Sequence, residues 1–273
     1  MDKYNEESNT LLLNKASYED NTYSPTIQSA NTLFHFFRKR DYLLNSLAKK
    51  ALFPRYYGEN VQYLKIKFQE ISYPMLCFCD INIHRLSAHL DMYGKYGIAF
   101  SKPWGIEAGI QPIQYINPES ALCRDISAAF SEAISKVDKS NEDSKVEDYL
   151  LTQMFFIKPI EGTMPRNGAY IKKNFTDECE WRYIPNVEEI DFPQVVIEDD
   201  KAAIPKLNKS LQASECSSCW LKFEYPDVKY IILPTWDDFD ALCTCFDVNI
   251  EDTTIKSKLL SKVIIWDNAR EDF

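Results

Sequence analysis

Glycine is scarce in this chain, with 7 residues in 273. No G-x-G-x-x-G and no G-x-x-x-x-G-K-[ST] loop occurs, so the common ways of cradling phosphates on backbone amides lack support. H-E-x-x-H and G-x-S-x-G are also absent, which removes the usual zinc-protease and serine-hydrolase signatures. No run approaches 18 apolar residues, so no membrane partner is expected. The first residues, MDKYNEESNT, are polar and acidic, and Leu11-Leu12-Leu13 is too short for a signal core. Basic charge is in deficit as well: 31 Lys and Arg stand against 41 Asp and Glu, a net charge of −10. A protein that coats nucleic acid needs clustered cations. Arg38-Lys39-Arg40 and Lys49-Lys50 are the tight clusters, and a solvated helix face accounts for them. Nucleic acid is therefore not the expected partner, although a local basic groove stays open.

What is present points to a packed sheet protein. Hydrophobic residues make up 45% and charged residues 26%, an ordinary globular balance. Aromatics reach 14%, with 16 Tyr and 16 Phe, and these residue types favour strands. Eight cysteines in a chain this long, without a signal core, read as buried thiols of a reduced, cytoplasmic protein.

Residues 1–30 are polar and aperiodic and read as a mobile arm, leaving 31–273 as one α+β domain. Its sheet should be mixed, mostly antiparallel and flanked by helices. Thr32–Phe37 predicts a strand and Asp41–Leu52 an amphipathic helix. A strand or irregular edge segment follows over Val61–Glu70, and a buried strand over Pro74–Cys79. A polar segment with His84 and His89 then reaches Tyr93-Gly94-Lys95-Tyr96-Gly97 and the apolar Ile98-Ala99-Phe100. Ile113–Ile116 reads as a strand, Ala121–Val137 and Val146–Ile157 as helices, and Asp138–Lys145 as a linker. Residues 159–170 carry turn chemistry. Further strands are expected at Cys179–Ile184, Trp220–Phe223, Lys229–Leu233 and Val263–Trp266. Helices are expected from Trp236, capped by Thr235, and over Asp252–Lys262.

Several residues could carry chemistry. Glu180 and Arg182, two apart on a strand, share a face and can pair or hold a polar ligand. Arg55 is a further candidate ligand-holding cation. His35, between phenylalanines, fits a hydrogen-bonded core residue better than a catalyst. Cys77, Cys79, Asp80, His84 and His89 lack four-ligand metal spacing, and no metal is expected there. Cys216, Cys219, Cys243 and Cys245 form two pairs, and zinc at these four stays open against buried thiols.

The order Leu33-Phe34-His35-Phe36, Phe53-Pro54-Arg55-Tyr56, then Pro74-Met75-Leu76-Cys77-Phe78-Cys79-Asp80-Ile81 resembles the AbiGi antitoxin family of bacterial abortive-infection proteins. Tyr93-Gly94-Lys95-Tyr96-Gly97-Ile98, Trp104-Gly105-Ile106 and Glu178-Cys179-Glu180-Trp181-Arg182-Tyr183-Ile184-Pro185 continue the likeness. It covers 33–185 clearly and 186–273 loosely. Asn82-Ile83 departs from it, where a Pro-Leu-like pair is expected. The resemblance implies one half of a two-gene phage-defence locus, with a cognate toxin or effector protein as partner; self-association stays open. A more distant similarity is to ADP-ribosyltransferase folds. It implies His35 on the nicotinamide ribose of NAD, Tyr93 or Tyr96 stacked on the nicotinamide, and Glu180 beside an oxocarbenium-like centre. NAD is the one cofactor that follows, and only on this alternative.

Overall fold

The computed structural model describes residues 29–137, 145–166 and 168–272. The expected arm over 1–30 and linker over 138–145 therefore lie almost wholly outside the described residues. The first strand, β1 (Thr32–Phe37), forms where the aromatic run predicts it and leads into helix α1 (Arg40–Lys49). The short β2 (Ala51–Leu52) and β3 (Arg55–Asn60) come next, then the long buried β4 (Glu70–Cys79). Residues 61–69, expected to be extended, instead turn through a 3-10 helix at Gln62–Leu64. Val61 and Leu64 are buried by that turn and not by strand alternation.

The polar stretch after β4 holds helix α2 (Leu86–Tyr93), which the sequence reading did not contain. Its buried face is only Leu86, His89 and Leu90, too short a periodicity to stand out. Gly94 ends α2 at φ 149°, and a Cβ there would collide with the Phe37 carbonyl. That close approach explains one glycine of the Tyr-Gly-Lys-Tyr-Gly cluster. Strand β5 (Tyr96–Ser101), helix α3 (Lys102–Glu107) and the short β6 (Gln111–Pro112) and β7 (Gln114–Ile116) follow. Helices α4 (Ala121–Val137) and α5 (Lys145–Phe155) agree with their sequence periodicity.

Beyond them run β8 (Ile157–Pro159) and a hairpin of β9 (Glu161–Arg166) and β10 (Ala169–Asn174). The hairpin occupies most of the stretch expected to be turns. Strand β11 (Glu180–Tyr183), β12 (Val196–Ile197), helix α6 (Ile204–Ser210), β13 (Leu221–Lys222) and β14 (Val228–Leu233) come next. The chain closes with α7 (Trp236–Asn249), α8 (Thr253–Leu260), β15 (Val263–Ile265) and α9 (Trp266–Ala269). Thr235 and Asp252 cap α7 and α8 through their side-chain oxygens, as their residue types favour.

The main sheet runs β15-β14-β5-β1-β4-β11-β6, with β3 and β12 also paired to β4. Every pairing in it is antiparallel except β14 with β15. This is the expected α+β class with a mixed, mostly antiparallel sheet. Helices cover both faces. On one, Leu33, Phe37, Phe78, Ile98 and Phe100 pack with Leu43 and Leu47 of α1 and Leu242 and Phe246 of α7. On the other, Phe34 and Cys79 pack with Leu86 and Leu90 of α2. Tyr73, Met75, Phe130 and Phe155 form a neighbouring cluster under α4 and α5. No helix among the described residues is long and apolar enough to cross a membrane.

Candidate functional site

Strand β11 pairs with β4 in the register Glu180↔Cys79 and Arg182↔Cys77. Paired residues share a face, so Glu180 and Arg182 point together, as their spacing predicts. Arg182 is fully buried and Glu180 nearly so, at 0% and 4% exposure. A buried charge survives only with full hydrogen-bond partnership, and Arg182 has it. Its Nε donates to Glu180 Oε1 at 2.7 Å, and Nη1 donates to the Tyr73 hydroxyl at 2.5 Å and the Phe155 carbonyl at 2.7 Å. Its Nη2 reaches Glu59 Oε1 at 3.0 Å.

The network continues through residues the sequence reading did not select. Lys158 on β8 donates to Glu178 at 2.8 Å and Glu180 at 2.9 Å. Lys173 on β10 lies 2.8 Å from Glu178 and also donates to the Tyr93 hydroxyl, which in turn donates to Glu178. The Tyr115 hydroxyl accepts from the Glu180 amide at 2.9 Å. Three carboxylates (Glu59, Glu178, Glu180) thus face three cations (Lys158, Lys173, Arg182). Burial alone would raise the Glu180 carboxyl, but Arg182 and Lys158 outweigh it and hold the group well below the usual carboxylate range. Burial would likewise lower Lys158, yet Glu180, Glu59 and Glu178 keep it well above the ordinary lysine value. Burial and the Glu178 charge push the Tyr93 hydroxyl far up.

Tyr93 and Glu180 therefore belong to one network, linked through Glu178 and Lys158. His35 does not join them. Its ring packs edge-on against Phe37 at 4.7 Å and against Phe78 at 5.5 Å, side chains of the α1/α7 face. Glu180 lies on the opposite face with Cys77 and Cys79. β1 pairs with β4 only at Phe34↔Cys79, and beyond that point His35 Nδ1 donates to the Cys77 carbonyl at 2.8 Å. Burial lowers the His35 pKa to about 4, so the neutral ring is the native form. Tyr96 is elsewhere again: its hydroxyl donates to Asp238 at 3.1 Å, beside Arg40, and ties β5 to α7. The His-Tyr-Glu constellation of the distant ADP-ribosyltransferase similarity is not assembled, because the sheet separates its histidine from its glutamate. Arg55 lies on β3 with its guanidinium over the Tyr42 ring.

The thiols are spread through the packing. Cys219 donates to the Asn186 carbonyl and Cys245 to the Leu44 carbonyl, so the two cysteine pairs meet different parts of the chain. No cluster of three or more metal-ligating side chains occurs among the described residues. Two open clefts lie beside α4, one of about 280 Å³ between α4 and α5 and one of about 330 Å³ near Lys65 and Ile134.

Residues 50–234 match the family model described as abortive phage resistance protein AbiGi, antitoxin. An abortive phage resistance protein AbiGi from Lactococcus lactis subsp. cremoris is 33% identical, over 82% of this chain and the whole of that protein. No solved structure gives a significant match. The clear likeness in the motifs from β4 to β11 and the agreement over most of the chain converge: the chain belongs to the AbiGi family of abortive phage resistance proteins, components of bacterial phage defence.

Proposed function

We propose that this protein acts in phage defence as a binding protein, the antitoxin half of a pair, and that it holds a partner protein on the face formed by α4 and α5. The observation that carries this reading is the apolar surface there. Leu122, Val146, Tyr149 and Leu151 are large hydrophobic side chains exposed by 37–66%. Of these, Leu122 and Tyr149 line a groove together with Ile126, Phe130, Leu150 and Ile157. Contiguous exposed apolar surface of this kind marks interaction sites more often than chance, and an aromatic beside aliphatic anchors is the usual composition of an interface centre. Asp125 lines the groove, which favours a partner with a basic residue beside an apolar contact.

The β11 network supports a binding role from the other side. Its carboxylates and cations neutralise one another, so Glu180 has no free lone pair directed at a substrate. Its first duty is to hold β11, β8 and β10 against β4. Co-expression with the product of the adjacent gene tests the reading. Leu122→Asp and Tyr149→Asp should abolish co-elution of the pair while leaving the circular dichroism and melting temperature unchanged. Retained co-elution in both variants would defeat the assignment of this face. A thermal shift with NAD, together with label transfer lost in Glu180→Gln, would defeat the binding-protein reading itself.

A further inference from the structure

We propose that the surface of α1 and β3 is a binding track for single-stranded nucleic acid. The chain as a whole is acidic, but this surface is not. Of the cations around α1, Arg40 is paired with Asp238 and Lys50 with Glu224. Arg38, Lys39, Lys49 and Arg55 have no carboxylate within ion-pair distance among the described residues. Each is instead arranged against an aromatic ring or beside one. Lys39 Nζ lies 5.8 Å from the Tyr42 ring centre and Arg55 Cζ 6.0 Å from the same ring. Burial raises the Tyr57 pKa, and the charges of Arg55 and Arg38 oppose that rise. Tyr42 and Tyr57 are 42% and 47% exposed, so both rings are open to a stacking partner.

A second group of the same composition sits at the other end of the helix. Lys49 Nζ is 5.9 Å from the Phe53 ring and 5.3 Å from Trp220, and those rings meet edge to face at 4.7 Å. Tyr42 and Lys49 are seven residues apart on one face of α1, about 10 Å along the axis. Asp41, the carboxylate of α1, belongs to the other side, near Tyr96 and Asp238. The result is two cation–aromatic groups, one at each end of α1, with unpaired cations at both.

Cations alone would suit any polyanion. Rings interleaved with cations suit one whose repeating unit carries both a phosphate and a flat base, because bases stack on aromatic faces and guanidinium planes. An acidic peptide has no comparable use for Tyr42 and Tyr57. The track is separate from the α4–α5 face and does not depend on the partner proposed for it.

Fluorescence anisotropy of the full chain with labelled 12-nucleotide dT and rU oligomers tests the proposal, with polyglutamate as competitor. Binding is expected at low salt, weakening with a log–log salt slope of about −2 to −3, as three or four neutralised phosphates require. Tyr42→Ala and Tyr57→Ala should each weaken binding about ten-fold or more with the slope unchanged. Arg38→Ala and Arg55→Ala should weaken it and make the slope shallower by about 0.7 each. Arg38, Tyr42 and Tyr57 are exposed and Arg55 is half-buried, so a melting curve for each variant separates lost binding from lost folding. No binding at 50 mM salt, affinity indifferent to both tyrosines, or equal displacement by polyglutamate would each overturn the proposal.

Discussion

Two groups of arginines and tyrosines sit on strands that both pair with β4, and they use their charge in opposite ways. Around β11, Arg182 is sealed from solvent and bonded to two carboxylates, a tyrosine hydroxyl and a backbone carbonyl. Around β3, Arg55 lies over an exposed tyrosine and meets no carboxylate among the described residues. The first arrangement costs a great deal to break and sets its charges against one another. The second contributes little to folding and leaves its charge available. Residue type does not separate the two, but burial and partnership do.

The contrast can be broken most severely at Arg182. Arg182→Met should lower unfolding stability by about 3–5 kcal/mol, because half-buried Glu59 loses its cation and buried Glu180 keeps only Lys158. Urea denaturation would measure it, and adding Glu180→Gln should recover part of the loss through coupling between neighbours. A loss below about 1 kcal/mol would mean that the network is not the structural unit described here.

Acid gives the next largest effect. The folded His35 pKa is lowered from 6.5 to about 4, so between those values the unfolded chain binds the extra proton. Stability is then complete above pH 6.5 and falls as the pH drops toward 4, by at most about 3 kcal/mol. His35→Leu should flatten that part of the profile. Glu180, with its pKa depressed, adds a second loss that begins only below about pH 4.5, the ordinary carboxylate value. Denaturant midpoints from pH 8 to pH 2 separate the histidine step from the carboxylate step.

The smallest effect is the sharpest comparison. Arg55→Met should change stability by less than about 0.5 kcal/mol, as a half-buried cation without an ion-pair partner among the described residues. A cost approaching that of Arg182→Met would erase the distinction between the two surfaces.

Much of the sheet was legible because β1, β4, β5, β11 and β14 each carry a local pattern, either an apolar run or strict alternation. The hairpin β9–β10 carries neither. It pairs with itself outside the main sheet and leaves Tyr170 78% exposed, so no buried face imprints a period on residues 161–174. Strand β3 was hidden for a related reason, with Tyr56 its one buried side chain. At the site, the Glu180–Arg182 pair could be read because its two members are two residues apart on a strand. Lys158 and Glu59 could not be, lying 22 and 123 residues from the groups they bind. Nothing in the local sequence near Lys158 marks it as more than a strand lysine. Tyr93 and Tyr96 looked equivalent in the sequence, but one falls at the end of α2 and the other at the start of β5, and they bond to different acids.

The position of β14 has a consequence for the newborn chain. This strand is sequentially among the last, yet it lies inside the sheet between β5 and β15. Until Val228–Leu233 leaves the ribosome, β5 carries an open row of amides and carbonyls beside Ile98 and Phe100, the kind of edge that recruits other strands. Arg40 and Tyr96 likewise wait for Asp238, 198 and 142 residues further on. Synthesis therefore passes through a long interval in which the sheet is unfinished, and a chain cut short before residue 228 should be found in the insoluble fraction.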